Sequence, residues 1–137
     1  MKSKRPILLV DDDQIDIMTI ERAIREIKIT NTVNVTRNGE EALAFLSRKE
    51  TEKPCVILLD LNMPKMNGIE FLREIKKDPA LRLIPIVILT TSKEEMDKSE
   101  SFHLGAAGYM IKPVDYQQFL EVIRTIDLYW TLSELPE

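Results

Sequence analysis

Four short apolar runs each end on a group that can do chemistry. Ile7-Leu8-Leu9-Val10 runs into Asp11-Asp12-Asp13, and Cys55-Val56-Ile57-Leu58-Leu59 into Asp60. Ile84-Pro85-Ile86-Val87-Ile88-Leu89 runs into Thr90-Thr91-Ser92, and Tyr109-Met110-Ile111 into Lys112-Pro113. Carboxylates gathered in one crevice repel each other, and a hard divalent cation relieves the repulsion. Mg²⁺ takes oxygen ligands and keeps several waters, so two carboxylates and a backbone carbonyl suffice as the protein's share; Mn²⁺ can stand in. A hydroxyl and an ammonium facing such a pocket suit the remaining oxygens of a phosphoryl group. Asp60 can itself be the nucleophile, because aspartyl-phosphate is an established covalent intermediate. The metal would neutralise charge on the incoming phosphoryl while Lys112 holds another oxygen. The chemistry suggested is phosphoryl transfer onto Asp60.

For these groups to meet, the runs must be neighbouring strands. Unbroken apolar runs suit strands buried on both faces, as in a parallel sheet. Asp60 is followed by Asn62 and Met63-Pro64, which turn the chain out of the sheet. Between the runs lie helical patterns. Ile15, Met18, Ile20, Ala23, Ile24 and Ile27 predict a first helix of about four turns, capped by Asp13 or a neighbour. Val33-Asn34-Val35-Thr36 alternates like a strand, and Asn38-Gly39 leads into a helix through Ala42, Leu43, Phe45 and Leu46. Asn67-Gly68 opens a helix that ends near Asp78-Pro79. Glu94 and Glu95 suit the first turn of the next, which stops at Leu104-Gly105. A last helix runs from about Asp115 towards Trp130. Strand and helix thus alternate through the whole chain, which predicts an α/β, doubly wound, flavodoxin-like (βα)5 fold. Its five parallel strands take the order 2-1-3-4-5, with helices on both faces. That order puts the first and third strands side by side at the switch point, so the acidic strand ends converge.

The 137 residues suit one domain, with a core over about 6–125 and a helical extension over about 126–137. Hydrophobic residues at 44% and charged residues at 31% describe a soluble globular chain. A net charge of −4 argues against nucleic-acid binding. The apolar run behind the basic start, Ile7 to Val10, is too short for a signal peptide or membrane span, which predicts a cytoplasmic protein with no membrane partner. Cys55, the single cysteine, reads as a small buried hydrophobe. No Gly-rich phosphate loop follows the first strand, which speaks against a dinucleotide or flavin site.

Leu9-Val10-Asp11-Asp12, Leu59-Asp60-Leu61-Asn62-Met63-Pro64, Thr90-Thr91 and Lys112-Pro113 stand in order and register. On these motifs, from Pro6 to about Thr125, the chain resembles the CheY-like receiver domains of two-component response regulators. The resemblance implies that Asp60 accepts the phosphoryl group. It implies Asp12 and Asp60 as direct Mg²⁺ ligands, Asp11 reaching the metal through water, and the Asn62 carbonyl completing the set. Lys112 would pair with Asp60 or its phosphate, across a cis Lys112-Pro113 peptide. Thr90 would reorient towards the phosphate, and Tyr109 would rotate with it. Asn62, Thr91 and Ser92 fall where receivers tune hydrolysis; Thr91 is bulkier than the Ala, Gly or Ser common there. The implied partners are a sensor histidine kinase or a phosphotransfer protein. Output would pass through a face built from Tyr109, Met110 and Gln118 to a protein partner, through a homodimer or by phosphorelay, since the chain leaves no space for a DNA-binding module. The loop from Asp78 to Leu83 and the tail Leu128-Tyr129-Trp130-Thr131-Leu132 are similar to receivers paired with phytochrome-type kinases.

Taken singly, the parts have plainer readings. Asp11-Asp12-Asp13 is a helix-capping cluster, and Asp60 a strand-end turn residue. Asp13 permits a slip by one residue in choosing the acidic pair, which the length of the Ile7–Val10 run decides for Asp11 and Asp12. His103 reads as a surface or packing residue, and the tail either folds back on the core or forms a partner surface. A haloacid-dehalogenase-type phosphatase needs a second Asp two residues after the nucleophile, where this chain has Asn62. A receiver-like module that binds partners without phosphorylation is disfavoured by the intact Asp12, Asp60, Thr90 and Lys112.

Overall fold

The computed structural model describes residues 4–113 and 115–133, with side chains described only as far as residue 125 beyond the gap. Five parallel strands lie in the order β2-β1-β3-β4-β5: β1 Ile7–Val10, β2 Val33–Thr36, β3 Val56–Leu59, β4 Ile86–Thr90 and β5 Gly108–Ile111. Helices α1 Gln14–Glu26, α2 Gly39–Ser47, α3 Gly68–Lys77, α4 Glu95–His103 and α5 Tyr116–Ser133 connect or follow them. The predicted doubly wound sheet is the one observed. A short 3-10 turn at Leu81–Leu83, inside the segment expected as a loop, leads into β4.

β1 and β3 are buried at every position because each is covered on both sheet faces. Alternate strand residues therefore feed two separate cores. Ile7, Leu9, Leu58, Val87 and Leu89 pack with Ile17, Ile20 and Ile24 of α1 and Phe119 of α5. Leu8, Val10, Ile57, Leu59 and Ile88 pack with Leu46 of α2 and Phe71, Leu72 and Ile75 of α3. Cys55 is fully buried in the first core, as a small hydrophobe there should be.

Helix α1 corrects one expectation. Ile15 and Met18 face solvent, at 75% and 59% exposure, and Ile17 takes the inward place. Ile17, Ile20 and Ile24 follow a 3–4 spacing and share one face, from which residue 15 is about half a turn removed. The helix starts are set by side chains on both sides of the sheet. Asp13 accepts from the N–H groups of Ile15 and Asp16, Asn38 from Glu41, and Asn67 forms a reciprocal capping box with Glu70. The tail reading for Leu128 to Leu132 falls on side chains outside those described. No helix among the described residues is long and apolar enough to cross a membrane.

Candidate functional site

The sheet ladder runs one step beyond three strands and fixes the backbone of the polar residues at their tips. The Asp11 N–H donates to the Thr36 carbonyl at 3.0 Å, the Asp60 N–H to the Val10 carbonyl at 2.9 Å, and the Lys112 N–H to the Thr90 carbonyl at 2.9 Å. Asp11, Asp60 and Thr90 are thereby buried at the carboxyl edge of the sheet, while Asp12 is exposed beside them. One carboxylate oxygen each of Asp11, Asp12 and Asp60 lies within 4.8 Å of the other two. That spacing, with oxygen-only donors, fits a hard divalent cation. Asp13 is spent on the α1 cap, and it is Asp11 and Asp12 that share the cluster with Asp60.

The two buried carboxylates are held alike. Asp11 Oδ1 accepts the N–H of Asp13 at 3.0 Å, and Asp60 Oδ1 accepts the N–H of Asn62 at 3.3 Å. Each is left with its second oxygen directed at the Lys112 ammonium. Lys112 Nζ lies 2.7 Å from Asp11 Oδ2 and 3.4 Å from Asp60 Oδ2. A third carboxylate, which sequence reasoning missed, completes the cage: Asp16 Oδ2, on the first turn of α1, is 2.8 Å from Nζ. The signal was an acidic residue three positions past the helix cap, where a first-turn side chain reaches back over the strand ends. The expected Lys112–Asp60 pair is thus present, but it is the longest of the three. Burial works against the lysine's charge, yet the bonds to Asp11 and Asp16, with Asp60 behind them, outweigh it and hold Lys112 well above the ordinary lysine range. Burial likewise pushes the Asp11 carboxyl up, against the lowering effect of Lys112 and of the Asp13 N–H.

Thr90 sits beside this cluster. Its Oγ1 accepts from Asn62 Nδ2 at 3.5 Å and from the Ser92 N–H at 3.3 Å. Ser92 donates to Asp97 Oδ2 at 2.6 Å, and its carbonyl accepts the Tyr109 hydroxyl at 2.9 Å. Asn62, Thr90, Ser92 and Tyr109 therefore form one chain of contacts leading away from Asp60, with the Tyr109 ring tilted against Phe102 at 6.4 Å. Burial raises the Tyr109 hydroxyl's pKa, which keeps it a donor. Thr91 and Asn62 are exposed at the rim. His103 is exposed at the end of α4, apart from the cluster. The Lys112-Pro113 peptide is cis, as the resemblance implied.

Glycine at position 68 is required by the site itself. Its N–H donates to the Leu61 carbonyl at 3.0 Å, and a Cβ there would lie 2.5 Å from the Asp60 carbonyl oxygen and 2.8 Å from Leu61 Cα. The start of α3 thus rests directly on the backbone that carries Asp60. A cavity of about 610 Å³, lined by residues such as Leu83, Ile84, Pro85 and Val122, contains none of the clustered acids. Charge and ligand chemistry, rather than concavity, mark the strand tips as the site.

Comparison with known proteins adds four findings. The response regulator receiver domain model matches residues 7–124. Response regulator Rcp1 of Synechocystis is 35% identical over 128 residues, covering 90% of this chain and 87% of that protein. The solved Mn²⁺-bound form of Rcp1 aligns over 97% of this chain and 99% of its own at a TM-score of 0.79, with 34% identity. The phosphorylated cyanobacterial phytochrome response regulator RcpA aligns over 96% of both chains at a TM-score of 0.79, with 36% identity. With the fold, the acidic strand tips and this match over most of its length, the chain belongs to the response-regulator receiver-domain family.

Proposed function

We propose that this receiver is a phosphorylation switch in which Asp60 takes a phosphoryl group from the phosphohistidine of a sensor kinase or phosphotransfer protein. The observation that carries the reading is the convergence of Asp60 with Asp11, Asp12 and Lys112 at the switch point of the sheet. An Asp60 oxygen attacks phosphorus, the P–N bond breaks, and the imidazole leaves with the electron pair. Water later attacks the acyl phosphate, restoring the carboxylate and releasing inorganic phosphate. Asp11, Asp12, Asp60 and the Asn62 carbonyl would hold Mg²⁺, or the Mn²⁺ that Rcp1 binds, and the ion would supply charge neutralisation at the phosphoryl oxygens. Lys112 pairs with a further phosphoryl oxygen. Thr90 turns its hydroxyl to the phosphate, which breaks its contacts with Asn62 and the Ser92 N–H and so loosens the path to Tyr109. The face bearing Tyr109, Met110 and Gln118 changes its affinity for a partner protein as a result. Asn62, Thr91 and Ser92, beside Asp60 and Thr90, set how readily water attacks.

The test is intact-mass spectrometry after incubation with acetyl phosphate, with and without Mg²⁺. One metal-dependent phosphoryl adduct is expected, absent from Asp60→Asn. No adduct with any divalent metal would leave a module that binds partners without phosphorylation, and an adduct that survives in the variant would move the acceptor to another aspartate.

A further inference from the structure

Lys112 is asked to serve more carboxylates than a phosphoryl switch needs. An ammonium has three N–H donors. Two are engaged at short distances, by Asp11 at 2.7 Å and by Asp16 at 2.8 Å, and only a long contact of 3.4 Å reaches Asp60. Asp11 comes from the tip of β1, on the same sheet edge as Asp60. Asp16 comes from α1, and its side chain is 34% exposed where the Lys112 side chain is only 6% exposed. The two acids therefore pull the ammonium differently, Asp11 within the strand tips and Asp16 towards the helix at the rim.

From this geometry we infer that Asp16 is a positioning residue that holds Lys112 off Asp60. It acts through Lys112 on the same site, and the inference rests on the phosphoryl-transfer reading above. A phosphoryl group on Asp60 must win the ammonium from Asp16, so part of the stabilisation that Lys112 gives the phosphorylated form is spent on that exchange. Asp16 thereby sets the balance between the free and phosphorylated states without touching the phosphate. Its cap contact does not depend on its carboxylate: it is the backbone N–H of Asp16 that donates to Asp13. Asp16→Asn, nearly the same shape without the charge, leaves that bond and the helix intact.

The experiment uses the full chain and beryllium fluoride with Mg²⁺ as a phosphoryl mimic, titrated into wild type, Asp16→Asn, Lys112→Met and the double variant. Asp16→Asn should bind the mimic about fivefold more tightly than wild type, a coupling in the range seen for contacting residues. In the Lys112→Met background the same change should move affinity by less than about twofold, because a half-buried charge at the rim, acting directly on the phosphoryl mimic rather than through the lysine, is screened by the water that still reaches it. A crystal structure of unliganded Asp16→Asn should place Nζ at an ordinary charged hydrogen-bond distance of about 2.8 Å from Asp60. Matching thermal melts of wild type and Asp16→Asn confirm an intact fold. Wild-type binding with no gain in Asp16→Asn, or an equal gain with and without Lys112, would overturn the positioning role and leave the switch standing. Failure of wild type to bind the mimic would overturn the switch reading and the inference together.

Discussion

Leu59 and Asp60 are consecutive residues at almost the same depth, 0% and 6% exposed, and the sheet treats them in opposite ways. Leu59 is surrounded by Leu8, Phe71 and other apolar side chains of one core, where burial is favourable in itself. Asp60, one step on, faces a second buried carboxylate and an ammonium, where burial is a cost that only pairing offsets. The same division holds on β1, between Val10 and Asp11, and on β4, between Leu89 and Thr90. Strand interiors stabilise the molecule, and strand tips draw on that stability to hold charge out of water. Substitutions on either side of the boundary should therefore fail differently.

The largest stability loss should come from the interior. Phe71→Ala empties a fully buried position and should destabilise by about 3–5 kcal/mol in urea denaturation, with Asp60 still phosphorylated in whatever fraction is folded. Lys112→Met tests the tips. Removing the cation leaves buried Asp11 uncompensated and should destabilise the metal-free protein by about 3 kcal/mol, with Mg²⁺ restoring part of the loss. Its pH dependence has a definite sign. Because the folded-state lysine pKa is raised above 10.5, the stabilisation is fully present below that value and is lost as pH rises through the folded value. The gap between wild type and Lys112→Met should thus stay flat from neutral pH to about pH 10 and narrow beyond it. On acidification the gap should narrow as well, once Asp11, its carboxyl already pushed up by burial, takes a proton and needs no cation. A gap that widened above about pH 10 would show the pairing account to be wrong.

Gly68→Ala lies on the boundary itself. The added methyl meets the Asp60 carbonyl and Leu61, and should cost about 1–3 kcal/mol in thermal or urea melts while also weakening Mg²⁺ binding, since the displaced backbone carries Asp60, which we propose as a metal ligand. Loss of stability with unchanged metal affinity would separate the start of α3 from the site. Asp13→Ala should cost least, about 1 kcal/mol for a lost helix cap, with phosphorylation of Asp60 unchanged. A large loss of metal affinity there would show that the acidic pair had been assigned one residue too early.

What the sequence disclosed follows the same boundary. β1, β3 and β4 were legible because a strand covered on both faces must be apolar throughout, and an acid or hydroxyl ending such a run stands out. The strand order then brought Asp11, Asp12, Asp60, Thr90 and Lys112 together. Asp16 carried only its first-turn position as a signal, and that was not enough to single it out, because on a helix surface a carboxylate that clasps a buried lysine has the same sequence appearance as one that faces water. Ile15 and Met18 misled for a related reason: apolar character predicts burial only one way, and surfaces carry exposed apolar residues as a matter of course. Neither the Asp11 contact with Lys112 nor its dominance over Asp60 could be read from spacing, since sub-ångström differences among three acids are decided by packing.

The contact between Lys112 and Asp11 joins residues 101 positions apart. A loop of that length closes late, because the intervening strands must first be laid side by side. No partly folded chain that lacks a docked β5 carries the lysine to its carboxylates. The full set of groups around a phosphoryl on Asp60 is therefore a property of the complete sheet, and a bound phosphoryl mimic should slow unfolding and hydrogen exchange across β1, β3, β4 and β5 together, as one cooperative unit.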